Sequence, residues 1–349
     1  MTKVIKIDPT NPDAEKIALA AEVINNGGLV AFPTETVYGL GADATDSNAA
    51  KKIYEAKGRP SDNPLIIHIA NPEDAEKYAY TCELYYKLAK AFMPGPLTVI
   101  MPKRDSVPFS VTGGLDSVAV RCPSHPIANA IIAKANVAIA APSANLSGSP
   151  SPTAAEHVIS DLDGRVDVIV DGGVCEIGLE STIVKIDNGT LTLLRPGGIT
   201  YDALLCVCDT VNIAPAVTDK LAENERPLSP GMKYRHYAPS APLVLLDGEY
   251  SDVLGYMCEA QKTQNCAIIC FDEDSAVLSK DKLITIGKKD DLATQASRLF
   301  SALRDADKLE ADIIYAHLPT KDGIGLALYN RMIRAAAHTI KKIERQDGN

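Results

Sequence analysis

Apolar residues recur at helical spacing in several stretches of the chain and form short continuous runs between those stretches. Over residues 12–26 the apolar positions fall on one face of a helix, which Gly27 ends. The runs Gly28–Phe32 and Pro64–Ala70 are bounded by proline or polar loops and are too short for helices, so they are typical of strands. A helix is predicted between these two strands, over 48–56.

The alternation of helices and strands continues through the first two thirds of the chain. Helices are predicted over 73–93, 126–135 and 154–160, and strands over 97–101, 118–121, 137–141, 166–170, 181–186 and 191–194. Because strands follow one another directly near the end of this region, the pattern favours a twisted mixed sheet with flanking helices over a purely parallel one.

The regular pattern weakens between 209 and 241, where prolines become frequent, and this stretch is typical of a linker. Beyond it, strands at 243–247, 266–271, 283–286 and 312–316 alternate with helices at 251–262, 291–304 and 325–343. A chain of 349 residues is also long for one core. We therefore expect an α/β domain over 1–208, a linker over 209–241 and a smaller, Rossmann-like open-sheet domain over 242–349.

Composition narrows the classes of function. The chain is 46% apolar and 23% charged, which is ordinary for a globular protein, and its formal charge of −10 argues against a broad basic surface for nucleic acid. The eight cysteines form no CxxC pair, so we expect buried thiols in a reducing compartment, the cytoplasm, and no zinc site. No apolar run has the length of a membrane span or the character of a signal peptide.

Two loops carry groups suited to phosphate. Lys57 and Arg59 flank Gly58, and arginine offers planar paired donors to phosphate while lysine is a compact point charge. The polar loop 142–145 directly follows an apolar strand, which is where α/β sheets bind ligands. Together the loops indicate a site for a polyanion such as a nucleoside triphosphate. Each cation is also explained without a ligand, because positive charge complements the dipole at a helix C-terminus.

Further candidate residues lie at the ends of other strands. The hydroxyls of Thr34 and Thr36 are suited to a small polar substrate or to satisfying their own turn, while Gly39 and Gly41 allow close backbone approach. His68 is a core residue or a ligand-binding one. Arg121 requires an anionic partner if buried, and Arg195 is a second phosphate cation or an exposed strand end. Walker, GxSxG and HExxH motifs are absent, which disfavours P-loop ATPases, serine hydrolases and zinc proteases.

The motifs together resemble those of one enzyme family. The segments PTETVYGLG, KGRPSDNPL, IIHIA, PGPLT, VAVRCPSHP, APSANLSG, ESTIV and LLRPG occur in this order between Pro33 and Gly197 and resemble the YrdC-like threonylcarbamoyl-AMP synthases. The segment SPGMKYRHYAP at 229–239 resembles the linker of the longer, two-domain branch. The resemblance implies a YrdC-like first domain and an ATP-dependent enzyme.

The implied reaction joins L-threonine, bicarbonate and ATP into L-threonylcarbamoyladenylate and releases pyrophosphate, with Mg²⁺ accompanying the nucleotide. A separate transferase complex would receive the product and modify the adenosine next to the anticodon of tRNA. An alternative is a tRNA-binding module without its own adenylation activity. Its support is a basic stripe expected on the last helix, formed by Arg331, Arg334, His338, Lys341 and Arg345.

The resemblance also implies roles for individual residues. Lys57, Arg59, Ser143 and Asn145 would form the catalytic set around the ATP phosphates. Thr34, His68, Arg121, Ser181 and the backbone of Ala141 would bind threonine, and Thr112, Ser151, Arg195 and Tyr234 would add nucleotide contacts. No protein ligand for a metal is implied. The linker segment 229–239 is expected to act as a lid over the nucleotide.

Overall fold

A computed structural model of the protein describes residues 1–219 and 237–344. These residues divide into two compact units. The first comprises residues 1–147 and 151–219, and the second comprises residues 148–150 and 237–344. No helix in the described ranges is both long and apolar enough to cross a membrane.

The first unit is built on one large sheet. Within residues 1–219, eleven strands pair in the order β1-β8-β2-β3-β7-β4-β6-β5-β9-β10-β11. They are β1 (Lys3–Lys6), β2 (Val30–Phe32), β3 (Gly39–Asp43), β4 (Ile66–His68), β5 (Leu97–Pro102), β6 (Ser117–Arg121), β7 (Ile139–Ala140), β8 (Val168–Asp171), β9 (Thr182–Asp187), β10 (Thr190–Arg195) and β11 (Val211–Ile213). Neighbours are parallel in some pairs, such as β4 with β6, and antiparallel in others, such as β5 with β6. The prediction of a mixed sheet is confirmed.

Seven helices accompany this sheet within the described part of the first unit. They are α1 (Ala14–Asn25), α2 (Ser47–Lys57), α3 (Glu83–Phe92), α4 (Phe109–Thr112), α5 (Pro126–Ala135), α6 (Ala155–Leu162) and α7 (Tyr201–Leu205). The apolar faces of α1 and α5 pack into one core with β2 and β8, where Ile24, Ile131 and Phe32 are almost completely buried. Because the helices pack on the apolar residues of the strands, the polar residues considered as a ligand-binding site lie at the strand ends and in the loops that follow them.

Three strands of the large sheet were not predicted from the sequence. One of them, β3, reads Gly-Leu-Gly-Ala-Asp, and glycine is unfavourable in strands, yet β3 pairs with both β2 and β7. Another, β11, lies inside the segment interpreted as a linker and pairs in parallel with β10. Residues 220–236 of that segment, including the expected lid motif up to His236, lie outside the described residues.

The second unit is an open parallel sheet. Between residues 237 and 344, strands β12 (Leu243–Asp247), β13 (Cys266–Cys270), β14 (Leu283–Thr285), β15 (Ile313–His317) and β16 (Ile340–Lys342) pair in the order β14-β13-β15-β12-β16. Helices α8 (Tyr250–Thr263), α9 (Leu292–Asp307) and α10 (Gly325–Ala335) connect them. All four strand pairings are parallel, so the Rossmann-like open-sheet prediction is confirmed.

The predicted last helix and its basic stripe are wrong. Helix α10 ends at Ala335, and Ala337 and His338 adopt positive φ values of 48° and 64°, which a helix does not allow. Arg331 is fully buried at 0% exposure, whereas Lys341 lies on the exposed strand β16. The side chains expected to form the stripe therefore do not share one helix face, and Arg345 lies outside the described residues.

The cysteines are all free thiols, but they are less uniformly buried than predicted. Four are buried, two are exposed and two are partly exposed. They are Cys122, Cys175, Cys266 and Cys270 in the first group, Cys82 and Cys206 in the second, and Cys208 and Cys258 in the third.

Candidate active site

The end of helix α2 is joined to the loop after β7 by a buried lysine. Gly58 caps the helix in the left-handed conformation, with φ of 60°, which a side chain would make strained. Lys57 is only 2% exposed, and its Nζ donates to the carbonyl oxygens of Ser143 and Asn145 at 2.5 Å each. Three residues of the predicted catalytic set are thus in direct contact.

The fourth residue of this set, Arg59, lies beside them on the next turn. Its Nη2 donates to the carbonyl oxygens of Asn63 and Pro64 at 3.3 and 3.1 Å, and the side chain is partly exposed. The Tyr54 hydroxyl also donates to the Asn63 carbonyl, at 3.2 Å. The turn that carries the second cation is therefore fixed rather than frayed.

A row of buried polar side chains crosses the sheet at the ends of β4 and β6. His68 is paired with Arg121 across these parallel strands, and Arg121 is paired with Thr98 of β5. Paired residues on neighbouring strands project to the same face of a sheet. The three side chains are 3%, 4% and 0% exposed, so they form a polar row inside the protein.

Ser181 and Arg195 extend the polar row. The hydroxyls of Thr98 and Ser181 lie 2.8 Å apart. Arg195 donates from Nη2 to the Ser181 hydroxyl at 3.1 Å and from Nε to the Ser181 carbonyl at 3.0 Å. Arg195 is 6% exposed, which rules out the exposed strand end considered from the sequence. Arg195, which is expected to contact the nucleotide, is thus hydrogen-bonded directly to Ser181, which is expected to contact threonine.

Glu35 is a residue of this site that the sequence analysis did not select. Its Oε1 accepts a hydrogen bond from Nη2 of Arg121 at 2.7 Å, and both side chains are at least 94% buried. Burial alone would raise the pKa of Glu35, but the charge and hydrogen bond of Arg121, aided by the nearby backbone N–H groups of Glu35 and Ser124, hold that pKa below its usual value. Glu35 is the anionic partner that a buried Arg121 requires, and the acid in the motif PTET was its only signal in the sequence.

His68 adds a neutral imidazole to the site. Burial, followed by the neighbouring Arg121 charge, lowers the pKa of His68 to about 3. Three buried atoms around the ion pair have no hydrogen-bonding partner within the described ranges: Nδ1 of His68, Oε2 of Glu35 and Nε of Arg121. Native proteins rarely leave such atoms unsatisfied, so this cluster is suited to a polar ligand.

The threonine-rich loop before β3 is bonded mainly to itself. The Thr34 hydroxyl donates to the Val37 carbonyl at 2.6 Å, accepts from the backbone N–H groups of Thr36 and Val37, and lies 2.8 Å from the Thr36 hydroxyl. These hydrogen bonds support the interpretation that the threonine hydroxyls satisfy their own turn. At Gly41 a Cβ would lie 2.6 Å from the Phe32 ring, so close packing requires this glycine.

The remaining predicted site residues are Ala141, Ser151, Thr112 and Tyr234. The backbone N–H of Ala141 donates to the Ile66 carbonyl at 2.9 Å, and the Ser151 hydroxyl donates to the Glu180 carboxylate at 2.5 Å. The Thr112 hydroxyl donates to the Leu115 carbonyl at 2.7 Å, within its own turn. This hydrogen bond does not connect Thr112 to the polar row, and Tyr234 lies outside the described residues.

Comparison with known proteins identifies the family. A family model named for Sua5, YciO and YrdC and described as "Telomere recombination" matches residues 22–197. A second, described as "Threonylcarbamoyl-AMP synthase, C-terminal domain", matches residues 199–337. The threonylcarbamoyl-AMP synthase of Bacillus subtilis is 46% identical over 332 residues, which cover 94% of this chain and 95% of the relative. The synthase of Schizosaccharomyces pombe is 35% identical and is covered over 90% of its length.

Solved structures agree with these matches. The Sua5 protein of Pyrococcus abyssi, crystallised with L-threonine, is 43% identical, with a TM-score of 0.92 over 98% of this chain and 100% of that one. YciO of Escherichia coli is 26% identical, with a TM-score of 0.52 over 56% of this chain and 96% of its own. Fold and site thus define a two-domain protein with a Sua5–YciO–YrdC core. The chain belongs to the threonylcarbamoyl-AMP synthase family.

Proposed function

We propose that this chain synthesises L-threonylcarbamoyladenylate from L-threonine, bicarbonate and ATP and releases pyrophosphate and water. The observation that carries the proposal is the set of unsatisfied polar atoms around the buried Arg121–Glu35 pair. A free amino acid supplies both an anion and hydrogen-bond donors to such a set. The names of the relatives and the L-threonine bound to the P. abyssi protein support the same substrate.

Residues on one side of the site would bind threonine. Arg121 offers its guanidinium to the carboxylate, and the neutral His68 imidazole offers Nδ1 to the substrate. The buried Ser181 hydroxyl, the Thr34 loop and the Ala141 backbone would complete the pocket. The Thr34 hydroxyl is already engaged within its loop, so we assign it the shaping of the pocket wall.

Residues on the other side would bind ATP. Lys57 fixes the loop that carries Ser143 and Asn145 and adds a positive charge, while Arg59 adds a guanidinium next to it. Arg195, Ser151, Thr112 and Tyr234 would contribute further nucleotide contacts. Mg²⁺ would arrive with ATP, because phosphates and water supply most ligands of this ion. Residues 1–219 and 237–344 hold no group of three or more His, Cys, Asp or Glu placed to bind a metal ion.

The reaction asks the protein mainly for positioning. The threonine ammonium first loses a proton, and the resulting amine forms a bond to the bicarbonate carbon. The hydroxyl group of that carbon leaves as water with a second proton from the nitrogen. An oxygen of the resulting carbamate then attacks the α-phosphorus of ATP as pyrophosphate departs. Holding the reactants together and neutralising phosphate charge supply the main acceleration. Carbamates are labile in water, and the burial of Arg121 and His68 fits a site that excludes it.

Partners, compartment and domain limits are part of the same proposal. A transferase complex would receive the labile adenylate for tRNA modification, and free thiols fit a cytoplasmic protein. The division at 1–208, 209–241 and 242–349 stays a prediction. The rival function, a tRNA-binding module, loses its support because the basic stripe does not form.

The test is pyrophosphate release by the purified full chain. We expect release that requires both threonine and bicarbonate and that falls strongly when serine replaces threonine. Release that is indifferent to threonine and bicarbonate contradicts the proposal.

A further inference from the structure

We propose that Glu35 is a positioning residue that binds the α-ammonium group of the substrate while it holds Arg121 in place for the carboxylate. This inference rests on the proposed function and deepens it, because it makes the free α-amine of the amino acid a requirement for tight binding. Among the residues considered from the sequence, none was assigned to the amine.

The Glu35 carboxylate is fixed inside the protein. Its own backbone carbonyl accepts a hydrogen bond from the N–H of Ile177 at 2.9 Å, and the preceding residue, Thr34, anchors the turn. The Glu35 side chain is 6% exposed. The carboxylate is therefore held in a buried position beside the guanidinium of Arg121.

The two oxygens of this carboxylate differ in their hydrogen bonding. Oε1 accepts from Nη2 of Arg121 at 2.7 Å, whereas Oε2 is buried with no hydrogen-bonding partner in the described ranges. A buried carboxylate oxygen without a donor is costly, and a charged donor satisfies it best. Arg121 likewise keeps Nε available. The pair thus presents one free acceptor on its anion and one free donor on its cation.

The Arg121–Glu35 pair matches the charged groups of an α-amino acid. The carboxylate and ammonium of such a molecule are attached to the same carbon, so the groups that bind them must themselves be close together. Arg121 and Glu35 meet this condition because they are in contact. A ligand that lacks the ammonium places a neutral group against Oε2 and leaves the negative charge of Glu35 without a second cation.

The experiment compares two ligands by calorimetry on the full chain: L-threonine and 2,3-dihydroxybutanoate of matching configuration, in which a hydroxyl replaces the amine. We expect the wild-type protein to bind L-threonine about tenfold to a hundredfold more tightly, the range for a hydrogen bond between charged groups. We expect E35Q to lower this preference to about threefold or less, because its amide carries no charge.

The matched control is E180Q, which removes the charge of another buried carboxylate of the first unit, the acceptor of the Ser151 hydrogen bond. It should keep the wild-type ratio of the two ligands even if it weakens nucleotide binding. A role of Glu35 in folding alone would weaken both ligands equally and leave their ratio unchanged in E35Q. If E35Q does not fold, the inference is tested by the ratio of the two ligand affinities in the wild-type protein and in E35D. Because E35D keeps the negative charge, it should retain part of the preference for L-threonine.

Two results overturn the inference: wild-type protein that binds the dihydroxy acid as tightly as threonine, and a folded E35Q that keeps the full preference. If the wild-type protein still makes threonylcarbamoyladenylate, either result removes the role of Glu35 and leaves the proposed function standing. A wild-type chain that binds no threonine overturns both.

Discussion

Lys57 and Ser143 are 86 residues apart in the chain, yet the ammonium of the first lies 2.5 Å from the carbonyl oxygen of the second. The same ammonium also donates to the Asn145 carbonyl, and the backbone N–H of Ser147 donates back to the Lys57 carbonyl at 2.9 Å. The end of α2 and the loop 143–147 therefore form one rigid piece. Lys57, which is expected at the ATP phosphates, thus also holds together two segments of the protein that would bind them.

Replacing Lys57 should lower both stability and turnover. K57A leaves the buried Asn145 carbonyl and the partly buried Ser143 carbonyl without this donor, so we expect it to lower the free energy of unfolding by about 2 kcal/mol. Urea unfolding measures this loss, and a pyrophosphate assay measures the loss of turnover. The control is K52A on the same helix, whose exposed ammonium donates to the Gly27 carbonyl and should contribute less than about 1 kcal/mol. Equal stability of K57A and K52A would contradict the structural role of Lys57.

Ser181 should couple the binding of the two substrates. S181A removes the hydroxyl that contacts both Thr98 and Arg195, and we expect it to lower the free energy of unfolding by about 1 kcal/mol. Because Arg195 then loses one of its two anchors on Ser181, KM should rise for both threonine and ATP. Steady-state kinetics with each substrate varied in turn measures this. S110A, which removes a partly exposed hydroxyl bonded to Ser47, should change neither KM. A rise in KM for only one substrate would contradict the prediction that Ser181 and Arg195 couple the binding of threonine and ATP.

Acid should destabilise the protein through His68. Its pKa is about 3 in the folded state and about 6.5 in an unfolded chain, so as pH falls below 6.5 the unfolded state takes up the proton first. The stability that His68 contributes is complete above pH 6.5 and is lost toward pH 3, at about 1.4 kcal/mol per pH unit. H68Q cannot take up the proton, so its stability should fall less steeply between pH 6.5 and 4.5, as chemical unfolding at each pH will show. Identical slopes for the two proteins would contradict a buried, neutral His68.

Binding of unmodified tRNA should be weak and should not depend on the C-terminal lysines. The chain has a net charge of −10, and Lys341 and Lys342 are exposed on β16, an edge strand of three residues. We expect filter binding at two salt concentrations to give similar, low retention for wild type and K341A/K342A. Tight retention that salt abolishes and that the double variant loses would revive the tRNA-binding alternative.

Local pattern was sufficient to predict many elements but failed where long-range pairing determined the structure. Helix α5 has the predicted bounds because Pro126 starts it and its apolar positions repeat at helical spacing. Strand β3 has two glycines in five residues and exists because β2 and β7 pair with it on both sides. The end of α10 was missed because Ala337 and His338 take left-handed conformations that neither residue type signals.

In the candidate site, too, local pattern predicted some residues and missed one that depends on a distant contact. The cations and the hydroxyl loops were visible in the sequence because they stand at strand and helix ends. Glu35 was not selected, because its importance depends on Arg121, which lies 86 residues further along the chain. In the sequence alone, an acid between two threonines resembles any polar turn.

The most direct measurement of the central claim uses ¹³C-bicarbonate and mass spectrometry of the adenylate formed from ATP and L-threonine. We expect the product to carry threonine, one labelled carbon and AMP, with pyrophosphate released in equal amount. An adenylate that contains threonine without the labelled carbon, or pyrophosphate without any threonine-containing adenylate, would contradict the proposed function.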